Sequence, residues 1–145
     1  MKRFEGKKAL VTGGSRGIGR AISLGLASGG ADIAINYIQD EQAAADTVAE
    51  IEKLGNKAIA IQADISDPKG VKELFKGCRE ALGGLDLFVS NAVSGVVGPA
   101  ERIGRFGWDR AMNTNARAFM LGVQQAVKLF GEGGGRIVAV SSIGS

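Results

Sequence analysis

The stretch VTGGSRGIGR, residues 11–20, sets four glycines with Arg16 among them between the apolar run KKALVT and a segment with apolar residues at helical spacing, Ile18, Ala21, Ile22 and Leu26. Bare backbone at that density suits a sharp strand-to-helix turn. Gly13 can turn without a clash at Cβ, and Gly17 and Gly19 let a ligand or a neighbouring strand approach the start of the helix. The free N–H groups there attract anions. Taken alone, the turn serves equally well as a tight connection with no ligand, so its place in the order of elements decides between the two readings.

That order is an alternation. Apolar strands are expected at 7–12, 31–37, 57–64, 85–92 and 135–142. Helices are expected at 17–27, 40–55 and 67–84, with a long one inside 106–132. Asp67 is placed as an N-cap with Pro68 at the first helical position, and Gly55 stops the second helix. The strands are continuously apolar rather than alternating. This argues for a parallel sheet covered by helices on both faces. Right-handed crossovers then give an α/β, doubly wound sheet in the order 3-2-1-4-5. Ligands of such sheets bind beyond the carboxyl ends of the strands, where the order switches between strands 1 and 4. The glycine turn follows strand 1 and so lies at that switch, which favours a cradle for a dinucleotide phosphate.

Composition narrows the function. Glycine accounts for 23 of 145 residues, about twice the roughly 7% of average usage, but the glycines fall between patterned segments and punctuate one domain. A net charge of +3 with interspersed signs gives no support to nucleic-acid or membrane binding. There is no histidine and one cysteine, Cys78, so serine–histidine hydrolysis is excluded and no metal site is expected. A polar start and the lack of an 18-residue apolar run point to the cytoplasm.

With these residues in view, the sequence resembles the short-chain dehydrogenase/reductase family along its whole length. TGGSRGIG, Thr12 to Gly19, fits the family pattern TGxxxGxG. Asp64 with Ile65 matches the Asp–aliphatic pair that holds adenine. SNAV (90–93) stands where the family has NNAG, with Val93 replacing a glycine. MNTNARA (112–118) carries Asn115 at the position of the family's helix asparagine, and IVAVSS ends with Ser142 at the catalytic serine position, Ser141 beside it. The resemblance implies a Rossmann-type fold. It assigns Thr12, Gly13, Ser15, Arg16, Gly17, Ile18 and Gly19 to the cofactor turn. Asn91 and Ala92 line the nicotinamide pocket. Asn115 kinks its helix and organises a water chain, and Ser142 hydrogen-bonds a substrate carbonyl or enolate oxygen. An asparagine on a mostly apolar helix needs a partner in any case.

Cofactor choice rests on two places. Arg16 is set to pair with a ribose 2′-phosphate. Asn36 and Tyr37 occupy the end of strand 2, where an acidic side chain selects NAD by accepting from the ribose hydroxyls. Asp40 and Glu41 come later, at the next helix start. NADP(H) is therefore expected over NAD(H).

The family's proton-donating tyrosine and its lysine lie beyond the serine. The only tyrosine here is Tyr37 and the last lysine is Lys128. The expectation is that residues 1–145 are the cofactor-binding half of a reductase, without strands 6 and 7. SNAVSGVVGP and VSSIGS look like the branch of NADPH-dependent enoyl- and 3-oxoacyl-acyl-carrier-protein reductases of fatty acid biosynthesis. The implied substrate is a small molecule carried on acyl carrier protein or coenzyme A. The implied assembly is a homo-oligomer, dimer or tetramer, through the helix at 109–130, which has apolar residues on more than one face. The alternative is a catalytically inactive nucleotide-binding or interaction module.

Overall fold

The computed structural model describes residues 2–142. Five parallel strands form one sheet in the order β3-β2-β1-β4-β5: β1 (Lys8–Val11), β2 (Asp32–Tyr37), β3 (Ala58–Gln62), β4 (Leu87–Ser90) and β5 (Arg136–Ala139). Helices α1 (Gly17–Ser28), α2 (Glu41–Lys53) and α3 (Pro68–Leu82) connect the first four strands. α4 (Arg105–Met112) and α5 (Ala118–Leu129) connect β4 to β5. The doubly wound order expected from the alternation is the one observed.

The central strands are covered on both sides. Ala9, Leu10, Ile33, Ala34 and Ile35 have no exposed surface, and side chains of successive strand residues go to opposite faces. Leu10 and Ala34 join the layer under α3 and α5, with Leu74, Phe75 and Phe88. Ala9, Ile33 and Ile35 join the layer under α1 and α2, with Ala27 and Ile51. Phe75 of α3 meets Phe88 of β4 edge to face, ring centroids 5.2 Å apart. At Gly122 of α5 a β-carbon would lie 2.7 Å from the Phe88 ring, so the bare backbone sets how closely that helix approaches the sheet.

Local signals end the elements where expected. The Asp67 carboxylate accepts from Lys69 N–H at 3.0 Å with Pro68 opening α3, and Gly83, in the left-handed region at φ 78°, closes it. The Asp40 carboxylate accepts from Ala43 N–H at 3.0 Å and caps α2. The long helix expected inside 106–132 is interrupted: a π-helical turn at Asn113–Arg117 separates α4 from α5, around the Asn115 where the resemblance implied a kink. No helix among the described residues is long and apolar enough to cross a membrane.

Candidate functional site

β1, β2 and β4 end on the same edge of the sheet, and there a cavity of about 810 Å³ opens. Its floor is the glycine turn. Thr12 fastens that turn across the switch point: its Oγ1 accepts from Asn91 N–H at 2.9 Å and Ala92 N–H at 3.1 Å. The Asn91 amide answers by donating to the Thr12 carbonyl at 3.0 Å and the Gly13 carbonyl at 3.3 Å. Thr12 is buried and acts as a clamp between β1 and β4, not as part of the cavity wall.

Two glycines in this turn have left-handed backbone, Gly13 at φ 61° and Gly17 at φ 54°. No atom lies within 4 Å of a β-carbon built on Gly17, so the backbone there faces open space. A β-carbon on Gly19 would lie 2.1 Å from the Gly13 carbonyl oxygen, so α1 begins directly beneath the turn. Arg16 occupies the N-cap of α1 with extended backbone, and its side chain caps nothing. The first N–H groups of α1 therefore have no side-chain acceptor. An uncapped helix start beside exposed glycine backbone, with a cation next to it, has the chemistry to receive an anion.

Asn36 lines the cavity and also ties neighbouring segments together. Its side chain is buried and turned inward: Nδ2 donates to the Ala63 carbonyl at 2.9 Å, and Oδ1 accepts from Gly13 N–H at 3.4 Å. It stitches the end of β2 to the chain beyond β3 and to the glycine turn. Tyr37, Ile38, Gln39 and Asp40 line the cavity beside it. The physical reason is burial: an amide taken out of water must find partners, and backbone groups of two other segments supply them.

The turn after β3 forms another wall. Ile65 is buried and lines the cavity. The Asp64 Oδ1 accepts from Ser66 N–H at 2.9 Å and Ser66 Oγ–H at 2.7 Å, while Oδ2 lies 3.6 Å from Arg110 Nη1. Burial pushes the Asp64 carboxyl up, but the two bonds from Ser66 and the Arg110 charge outweigh it, and its pKa lies below the ordinary value. Arg117 of the π-helical turn donates to the Ser66 carbonyl at 2.5 Å.

Asn115 sits in the same π-helical turn. Its Oδ1 accepts from Ser94 N–H at 3.0 Å and its Nδ2 donates to the Ser94 carbonyl at 2.8 Å, bracing the segment after β4. Ser142 lies three residues past the Ser90–Ala139 pair of β4 and β5, exposed at the carboxyl edge of the sheet.

Of the residues named from sequence, the structure gathers Gly13, Ser15, Arg16, Ile18, Gly19, Asn36, Tyr37, Ile65, Asn91 and Ala92 around one cavity. Gly17 belongs to the turn beneath it. Thr12, Asp64, Asn115 and Ser142 stand outside the wall. Sequence reasoning missed Arg110 and Thr114, which line the cavity from α4 and the π-helical turn. They lie five and one residues before Asn115, and that proximity was the available signal.

A parallel sheet of this order with an anion-receiving glycine turn at its switch point defines a Rossmann-type fold. The chain belongs to the short chain dehydrogenase family, whose model matches residues 7–145. It is 45% identical over 137 residues to a 1-cyclohexenylcarbonyl-CoA reductase of Streptomyces collinus, covering 94% of this chain and 49% of that one. It is 43% identical over 140 residues to the tetrahydroxynaphthalene reductase PfmaG of Pestalotiopsis fici, covering 97% and 50%. Among solved structures it is similar to a short chain dehydrogenase from Burkholderia cenocepacia in complex with NADP, at 47% identity and a TM-score of 0.94, covering 97% of this chain and 57% of that one. The chain spans about half the length of the curated relatives it matches.

Proposed function

We propose that this chain supplies the dinucleotide-binding part of an NADP(H)-dependent reductase, in which hydride passes between the nicotinamide and a carbonyl or an enoyl acyl thioester. The observation that carries this reading is the cavity at the switch point, floored by the open backbone at Gly17 and the uncapped start of α1, with Arg16 beside it. Its volume suits a cofactor site. The N–H groups of the α1 start bind the pyrophosphate. Arg16 pairs with the 2′-phosphate, and no acidic side chain at Asn36 or Tyr37 repels it. When bound, NADPH supplies the hydride. Asn115 holds Ser94 and with it the segment carrying Asn91 to Val93 beside the nicotinamide, and Ser142 hydrogen-bonds the substrate oxygen as charge grows there.

A relative that reduces an α,β-unsaturated coenzyme A thioester by name, and a similar structure holding NADP, support substrate class and cofactor respectively. The same reading takes the acyl group as carried on coenzyme A or acyl carrier protein and the place of action as the cytoplasm. It takes the assembly as a dimer or tetramer through the exposed apolar face of α4 and α5.

The test is to express the protein over its complete natural reading frame, titrate NADPH and NADH by fluorescence, and follow NADPH consumption with crotonyl- and acetoacetyl-coenzyme A. Tighter binding of NADPH with turnover of either thioester is the expected result. Binding of neither cofactor would overturn the reading. Binding of NADPH without turnover of any carbonyl or enoyl compound would favour an inactive nucleotide-binding module.

A further inference from the structure

Val93 is the most exposed of the apolar residues that line the cavity, at 78% against 65% for Ile18 and 38% for Ile38. It joins neither of the two apolar layers of the fold. It stands where SNAV departs from the glycine of the family pattern. Among the described residues positive φ is confined to glycines, so the backbone at Val93 does not call for one. The isopropyl group is therefore added volume at the cavity wall, with no part in the core.

That volume is held from both sides. Before it, Ala92 N–H donates to Thr12 Oγ1 at 3.1 Å. Ala92 also abuts the glycine turn, where a β-carbon on Gly13 would lie 3.1 Å from Ala92 Cα. After it, Ser94 gives its N–H to Asn115 Oδ1 at 3.0 Å and takes a proton from Asn115 Nδ2 at its carbonyl, at 2.8 Å. The two neighbours of Val93 are thus tied to the end of β1 and to the π-helical turn. The branch at Cβ also restricts rotation about χ1. A stiff side chain on a tethered backbone makes a fixed stop, and a ligand group too large for such a wall fits only by straining it.

We infer that Val93 is a specificity-determining residue, the stop that sets how large a substituent the α-carbon of the acyl thioester can carry. The inference rests on the reductase reading above and deepens it. In an enoyl and a 3-oxoacyl thioester alike, the α-carbon is bonded to the carbon that takes the hydride. Bulk at the α-carbon is therefore brought to the wall beside the nicotinamide, where the proposed function sets Asn91 to Val93.

The experiment uses the protein expressed over its complete natural reading frame and compares wild type, V93A, V93G, V93L and V97A. With NADPH as donor, kcat/KM is measured for two pairs of thioesters, each with a small and a larger α-substituent. One pair is crotonyl- and 1-cyclohexenylcarbonyl-coenzyme A, and the other is acetoacetyl- and 2-methylacetoacetyl-coenzyme A. The readout is the ratio of larger to smaller within the pair that wild type reduces. V93A and V93G should raise that ratio by about 10-fold or more, the scale on which an apolar pocket discriminates one methylene. V93L should lower it. V97A, at a fully exposed position outside the cavity wall, should leave it where it is. Ratios that do not move with residue 93 would overturn the inference. An equal fall for both members of a pair would overturn it too, because it marks a contact that does not discriminate. So would a ratio that V97A shifts as far as V93A does. A weaker NADPH affinity in V93A with unchanged ratios would put Val93 against the cofactor and overturn it as well. If wild type reduces none of the four thioesters, the functional reading fails and this inference with it. If wild type reduces one pair and the ratio is the same in every variant, the inference alone fails.

Discussion

Asn115 closes its side-chain amide on the backbone of Ser94 from both directions, taking the Ser94 N–H at 3.0 Å and giving a proton to its carbonyl at 2.8 Å. A residue 21 positions away in sequence thus replaces the pairing that the chain loses when β4 ends at Ser90. Asn115 lies in the π-helical turn, and so does Arg117, which holds the turn after β3 through the Ser66 carbonyl. One irregular turn of helix therefore fixes two walls of the cavity.

Asn115→Ala removes both bonds to Ser94. A net hydrogen bond contributes ~0.5–1.5 kcal/mol, and water can reach this exposed pair, so a total loss of about 1 kcal/mol is expected. Amide exchange at residues 93–96 should accelerate while β1 and β2 stay protected. Unchanged exchange in that segment, followed by mass spectrometry, would refute the bracing role. Asn115→Asp, which keeps the acceptor and loses the donor, should fall between.

Arg16→Ala should separate the two cofactors. A charge-assisted contact is worth ~1.5–3 kcal/mol, so NADPH affinity should drop by roughly 10-fold or more while NADH affinity barely changes. Calorimetric titration of both cofactors gives the answer, and equal losses would remove Arg16 from the 2′-phosphate.

Glycines 19 and 25 lie on the same helix and should respond in opposite ways. A β-carbon at Gly19 meets the Gly13 carbonyl at 2.1 Å, whereas at Gly25 nothing lies within 4 Å. Gly19→Ala should cost ~1–3 kcal/mol, the range for overpacking, and abolish dinucleotide binding. Gly25→Ala should stabilise by ~0.5–1 kcal/mol through the smaller backbone entropy of the unfolded chain. Thermal unfolding of the two variants measures both signs.

Cys78 is buried in the layer beneath α3, and burial pushes its thiol up to about 12 from 9.0. A thiol held neutral in the folded state and free to ionise when unfolded favours folding fully below pH 9.0, and this contribution is lost as pH rises towards 12. Iodoacetamide at pH 8 should therefore leave the native protein unlabelled and label it completely in denaturant. Rapid labelling of native protein would contradict the burial.

Met112, Met120 and Val127 are exposed along α4 and α5, and Phe106 and Trp108 are exposed on α4. If this face joins two copies of the chain, Met120→Glu should convert an oligomer to a smaller species in sedimentation velocity. Far-UV circular dichroism should be unchanged, because Met120 takes no part in the core. A wild-type protein that sediments as a monomer at high concentration would exclude the assembly.

The sequence alone determined the layered fold. Continuous apolar strands can be stable only with both faces covered, helix caps such as Asp67 and Gly83 act within a few residues, and handedness then leaves one strand order. It also determined the position of the glycine turn, since left-handed backbone at Gly13 and Gly17 is a local requirement. Tertiary structure decided where the polar side chains went. Asn36 stands at the end of β2 and lines the cavity, and its amide also bonds the Ala63 carbonyl and Gly13 N–H of two distant segments. Arg110 lines the cavity with the Asp64 carboxylate, 46 positions earlier, 3.6 Å from its guanidinium. Nothing in the composition of NTNAR marks a π-helical turn, although that turn aims Asn115 at Ser94. Local propensity depends on near neighbours, whereas the partner of a buried polar group depends on which distant backbone atoms folding leaves unpaired.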